Sequence, residues 1–242
     1  MVYNRKKRYG RYTVEKRVDK TTEAQDTSFI VKRKNEMMTL TLVPLFTVLM
    51  CISAKLTIPI PVIPITLQVT VAIMSGLLLG ARLGVMSQVL YVGMGLLGLP
   101  VFSSGGGVGY VFTGTFGYLL GFILCAFTGG LLADRLEKKK GTVKVPYLSI
   151  LPIAIISLLI CYVSGILYLY FLSNFYTGYA GTKYSFLTTL AYGALPFIGK
   201  DLLLTILAAE LTRRLWRFRR HNTVHTGKTA SVVCDTVKDQ VD

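Results

Sequence analysis

The chain has 242 residues, with 27 Lys and Arg against 12 Asp and Glu, a net charge of +15 and a mean hydropathy of +0.53. Only 16% of its residues are charged, against roughly 25% in a soluble domain, which excludes a soluble fold with a solvated surface. The basic excess is not a nucleic-acid surface, because it lies in two tails and one loop and leaves the middle of the chain nearly bare. That distribution is an orientation signal for a membrane protein, and basic tails also rest on anionic lipid.

In chain order, residues 1–36 form a polar, mixed-charge arm that is expected in the cytoplasm. The first apolar run starts near Met37 with no small-residue cleavage site behind it, so a cleaved signal peptide is not expected. Residues 37–215 then form the membrane domain, and 216–242 a second cytoplasmic tail. Within the membrane domain six apolar segments follow one another: Met38 to Leu56, Ile65 to Leu79, Leu83 to Leu99, Phe116 to Leu132, Tyr147 to Leu172, and Leu187 to Leu211. The second is short against the roughly 20 residues that a span needs. Pro196 breaks the last, which predicts a short outer helix followed by a span from about Pro196 to Arg214.

The joints between segments carry breakers. Residues 59–64 read PIPVIP, extended and rigid; Gly80-Ala81-Arg82 is a tight turn; 103–109 read SSGGGVG; and 137–144 read EKKKGTVK, a solvated loop. Uniformly apolar segments argue for helices and against a β-barrel, whose strands alternate in polarity. With the N-terminus inside, the outer loops hold only Lys55 and Lys183, with Lys200 at the outer end of the sixth span. The expected fold is therefore an all-α, six-transmembrane-helix bundle with both termini cytoplasmic, a multi-pass protein of the cell membrane.

Metal and redox chemistry find no pattern. Cys51, Cys125 and Cys161 lie inside apolar runs and read as small fillers, Cys234 is in a tail, and His221 and His225 are far from the spans. Gly227-Lys228-Thr229 resembles the end of a phosphate-binding loop, but Asn222 stands where that loop requires glycine, so no nucleotide site is expected in this chain.

Asp201 is the residue that points to function. Between Met37 and Arg213 the other acids are Asp134 and Glu137, in the charged inner loop, and Glu210, one turn before Arg213 and Arg214. An ionisable residue inside a span costs free energy and marks a functional site. A structural ion pair with Lys200 or Lys55 is the alternative reading, but Lys200 is the sequence neighbour and adjacent helical positions diverge by about 100°, so the two do not face each other directly and both are left to address something else. An aspartate of this kind suits two N–H donors on one ligand, and a lysine suits a ligand carboxylate. The outer loops are rich in Gly, Pro and aromatics and read as a lid, with Phe102, Tyr110, Phe116, Tyr118 and Tyr192 as apolar walls.

Four stretches in this order and spacing carry a resemblance: IPIPVIPITLQ, GLLLGARLGVMSQVLYVGMGLLGLPVF, GYVFTGTFGYLLGF and PFIGKDLL. Together they resemble the BioY family, the biotin-binding subunits of energy-coupling-factor transporters, from about residue 40 to 212. The resemblance implies a six-helix bundle holding biotin at its outer face. It implies that Asp201 accepts hydrogen bonds from the ureido N–H groups, and that Thr66, Gln68, the glycine loop at Gly106 and Gly107, and Tyr118 line the site. It also implies a transmembrane coupling subunit and two cytoplasmic ATPases as partners, with no cofactor on this chain. The family's lysine three residues after the aspartate is Leu204 here, which leaves Lys200 or Lys55 as the expected carboxylate partner.

Three competitors frame that expectation. A capture subunit of the same fold for another small vitamin differs only near Asp201. A membrane enzyme needs a constellation of acids, His or Cys that the spans do not offer. A structural scaffold predicts that Asp201 is dispensable.

Overall fold

The computed structural model describes Met37 and residues 40–58, 66–140, 145–175 and 185–238, with side chains described as far as Trp216 except that of Lys140. The PIPVIP segment, Lys183, the N-terminal arm and the end of the charged loop lie outside the described residues. Two compact units form, Thr41–Arg220 and a second made of Met1–Leu40 with His221–Asp242. Of the second, the described part is Met37, Leu40 and the helical backbone of 221–238.

The larger unit is helical. The described elements are α1 (Leu40–Lys55), α2 (Gln68–Leu79), α3 (Ala81–Leu96), a 3-10 helix (Val108–Phe112), α4 (Phe116–Lys140), α5 (Tyr147–Phe175), α6 (Phe186–Gly193) and α7 (Leu195–Lys238). No strand occurs among the described residues, only an isolated bridge between Phe102 and Gly105. The starts of α4 and α5 fall on the first residues of the expected segments. The expected turn at Gly80 is a single residue with φ 87 between α2 and α3. That left-handed conformation favours glycine. A β-carbon there would also meet Asp134 Oδ1 at 2.9 Å.

Two expectations change. α4 runs on through Asp134 and Glu137 to Lys140, so the first half of the expected charged loop is helix. The residues that extend it, Arg135, Leu136, Glu137 and the lysines, are all strong helix formers. Asp134 is consequently a capping residue, not a loop residue. Its Oδ2 accepts the Ala81 N–H at 3.2 Å, serving an orphan donor at the start of α3.

α4 is the central helix and packs against α5, α2 and α3. The Thr47 hydroxyl ties α1 to α3, donating to Val43 O at 2.9 Å and reaching Ser87 O at 3.1 Å. Leu159, Val163, Leu167 and Phe171 form an exposed apolar stripe along α5, each more than half exposed, while Leu158, Cys161, Ile166 and Leu169 are buried on the other side. A long helix that is apolar all round, with large aliphatic side chains facing outward at each turn, is a lipid-facing helix. α4 and α5 are long and apolar enough to cross a membrane, and α6 with α7 makes a third candidate, bent by 44° at the break. α1 and α2 are apolar but shorter. Pro196 sits in the first turn of α7, where its missing N–H has no helical partner to lose. Cys125 and Cys161 are buried and Cys51 is half-buried, all as free thiols.

Candidate functional site

The break between α6 and α7 places Asp201 in the second turn of α7, facing the bundle and only 3% exposed. A carboxylate so buried needs partners. Tyr162, at mid-length on α5, donates its hydroxyl to Asp201 Oδ2 at 2.7 Å. Lys200 Nζ lies 2.7 Å from Asp201 Oδ1 as an ion pair, and it also donates to the carbonyl of Thr66. The two neighbours do therefore meet. The Cα–Cβ vectors diverge, but the four-methylene lysine stem curls the ammonium back over the carboxylate while remaining 26% exposed.

Around this pair lies a cavity of about 50 Å³. Thr66, Gln68 and Val69 line it from the start of α2, Ser103, Tyr110 and Thr115 from the α3–α4 connection, Tyr118, Leu119 and Phe122 from α4, and Phe197 with Lys200 and Asp201 from α7. The lining thus combines a charged pair, an apolar and aromatic surface, and hydroxyl groups. Tyr118 is fixed on both sides: its hydroxyl donates to Gly193 O at 2.7 Å, satisfying a carbonyl at the end of α6, and its ring lies against Gly165, where any β-carbon would overlap it. Gln68 Nε2 donates to the Tyr91 hydroxyl at 2.7 Å, and that hydroxyl reaches Val101 O at 3.3 Å, so the α2 wall is joined to the glycine loop.

The glycines of the loop support the wall and are not among the lining residues, although Ser103 is. Gly107 N–H donates to Gly95 O at 2.7 Å, and a β-carbon on Gly106 would run into the Leu99 carbonyl. Phe102 is fully buried behind the wall, edge-on to Tyr91 at 5.5 Å and tilted against Tyr110 at 4.5 Å. Lys55, the last residue of α1, donates to Phe102 O at 3.0 Å and so holds this loop.

Of the residues singled out in the sequence, Asp201, Lys200, Thr66, Gln68 and Tyr118 line one cavity. Phe102, Gly106, Gly107 and Lys55 build the loop behind it. Tyr192 is 51% exposed and is not among the lining residues, because its neighbour Gly193 takes the inward position against Tyr118. Phe116 packs on Tyr168 at 5.6 Å, away from the cavity. Sequence reasoning missed Tyr162, Ser103, Thr115, Phe122 and Phe197. A tyrosine at the centre of the most apolar run was a usable signal, since a midspan hydroxyl requires a partner. Among the described residues no group of three His, Cys, Asp or Glu is placed to hold a metal.

Fold and site together define an all-helical membrane protein with a small internal cavity lined by polar and aromatic residues and one buried carboxylate. The chain belongs to the BioY family, whose model matches residues 23–221. It is 37% identical over 190 residues to the probable biotin transporter BioY of Lysinibacillus sphaericus, covering 78% of this chain and 91% of that protein. It is 34% identical over 172 residues to the biotin transporter BioY of Thermotoga maritima, covering 71% and 91%. Among solved structures it resembles the S-component for biotin from an ECF-type ABC transporter, with a TM-score of 0.64, 28% identity, and coverage of 76% of this chain and 93% of that one.

Proposed function

We propose that this chain is a biotin-capturing transport subunit, which takes up biotin at the outer face of the cell membrane and delivers it inward with an ATP-driven coupling module. The observation that carries the proposal is Asp201, a carboxylate 3% exposed that lines the cavity, in a chain similar to biotin transporters over most of its length. The chain carries out no reaction of its own. A transmembrane coupling subunit and two cytoplasmic ATPases supply the energy, and α1–α5 with the broken α6–α7 pair make six crossings with both termini inside. The weight of Lys and Arg in the tails and inner loops supports that orientation.

Asp201 presents two oxygens, each with two lone pairs. Oδ2 holds the Tyr162 hydroxyl and retains acceptor capacity, and Oδ1 is met by Lys200. The two ureido N–H groups of biotin are parallel donors that suit one carboxylate. Their arrival displaces Lys200 from Oδ1, while Tyr162 holds the carboxylate plane. Tyr118, Leu119, Phe122 and Phe197 supply the apolar surface for the fused ring and chain. A site that has to bind paired N–H donors rejects a ligand without them, because the buried carboxylate would lose its partners.

Saturable binding of radiolabelled biotin to the purified protein in detergent, measured beside Asp201→Asn, tests the proposal. Wild-type binding that the substitution abolishes supports it. A folded wild type that ignores biotin but binds another small vitamin would transfer the same architecture to that ligand.

A further inference from the structure

Gln68 lines the cavity from the first turn of α2 and is 4% exposed. Its Nε2 donates at 2.7 Å to the hydroxyl of Tyr91 on α3, a fully buried residue that stands behind the wall and outside the lining. The Tyr91 hydroxyl has one proton and two neighbours. The second neighbour is the carbonyl of Val101, at 3.3 Å, which can only accept. The proton therefore goes to Val101 O, and the Tyr91 oxygen serves Gln68 as an acceptor. That choice fixes the amide. Turned the other way, Gln68 Oε1 and Val101 O would compete for one proton, and a buried acceptor would go unpaired. The Tyr91 ring is itself held edge-on to Phe102 at 5.5 Å.

With Nε2 drawn into the wall, Oε1 is the end of the amide left for the cavity. Asp201, on the same lining, likewise offers acceptors. We infer that Tyr91 is a positioning residue, which holds the Gln68 amide oxygen toward the ligand so that this wall accepts an N–H donor and turns away an acceptor. The inference rests on the proposed function for the identity of the ligand. It goes beyond it in giving a buried residue outside the cavity a part in selecting that ligand.

The test is equilibrium binding to the purified full chain in detergent of biotin and of two analogues, each with one ureido N–H replaced by a ring oxygen. Wild type, Tyr91→Phe, Gln68→Ala and the double variant are compared, with thermal unfolding of each. In the wild type the analogue whose oxygen faces Gln68 sets acceptor against acceptor. Tyr91→Phe frees the amide to turn its NH2 into the cavity. Biotin should then bind about fivefold more weakly, the value of one neutral hydrogen bond, while that analogue loses nothing or gains. The preference for biotin over it should fall by about fivefold or more. Lost packing alone would weaken both ligands alike and leave the ratio as it was. Gln68→Ala should lower the same ratio, and the double variant should match Gln68→Ala, since Tyr91 acts through the amide. A folded Tyr91→Phe with both ratios unchanged, or an effect of Tyr91→Phe that persists in full beside Gln68→Ala, overturns this assignment and leaves the proposed function standing. Should Tyr91→Phe fail to fold, an unchanged ratio in Gln68→Ala overturns it alone. Absence of biotin binding by the wild type overturns both.

Discussion

The Tyr162 hydroxyl on α5 donates to Asp201 Oδ2 on α7 at 2.7 Å, joining two helices through an acid that lines the cavity. Tyr162→Phe keeps the ring and its edge contact with Tyr118 at 6.5 Å but frees the carboxylate to rotate. The expected result is biotin binding weaker by about five- to tenfold, with a loss of roughly 1–2 kcal/mol in stability. Filter binding and thermal unfolding in detergent measure the two effects; unchanged binding would mean that Asp201 is oriented by other groups.

Lys200→Met removes the cation beside Asp201 Oδ1. A fully buried pair broken on one side costs about 3–5 kcal/mol, and the partial exposure of Lys200 reduces this to about 2–3 kcal/mol. Adding Asp201→Asn should recover most of the loss, because the uncompensated charge is then gone. A double-mutant cycle on unfolding midpoints checks this; additive losses would show that the pair is not coupled.

Part of this site was legible in the sequence and part was not, for identifiable reasons. Asp201 stood out because an acid in an apolar run is expensive, and the break before it was marked by Pro196. The partner Tyr162 was hidden. α5 is apolar on every side, so no polar face shows which residues turn inward. The Lys200–Asp201 contact was misjudged because backbone direction does not constrain the end of a long flexible side chain. Asp134 was assigned to a loop because its charge was weighed and the helix propensity of its neighbours was not.

Gly165→Ala should act on the site from a distance. Its β-carbon would enter the ring of Tyr118, push that ring from the cavity wall and strain its bond to Gly193. Overpacking of this kind costs roughly 1–3 kcal/mol, and biotin binding should fall by about tenfold or more. Gly199→Ala is the control. No atom lies within 4 Å of its added carbon, and it should be neutral or stabilise by up to about 1 kcal/mol. Equal effects at the two glycines would refute the argument.

Asp134→Ala removes a carboxylate that accepts the Ala81 N–H, at the turn where Gly80 adopts φ 87. The expected cost is about 1 kcal/mol, with ligand affinity unchanged because none of these residues lines the cavity. Thermal unfolding in detergent beside a binding isotherm separates the two; weakened binding at wild-type stability would contradict this.

Lys200 meets Asp201 Oδ1 and the Thr66 carbonyl. On the proposed function, capture is an exchange and not a simple addition: the incoming N–H group takes the place of an ammonium, and the ammonium must find a new acceptor. The measured affinity reports the difference between two nearly matched sets of bonds. On that reading discrimination lies in the Lys200–Asp201 contact, since a molecule with a single N–H donor cannot match what it removes, and the returning lysine restores the contact whenever the ligand leaves.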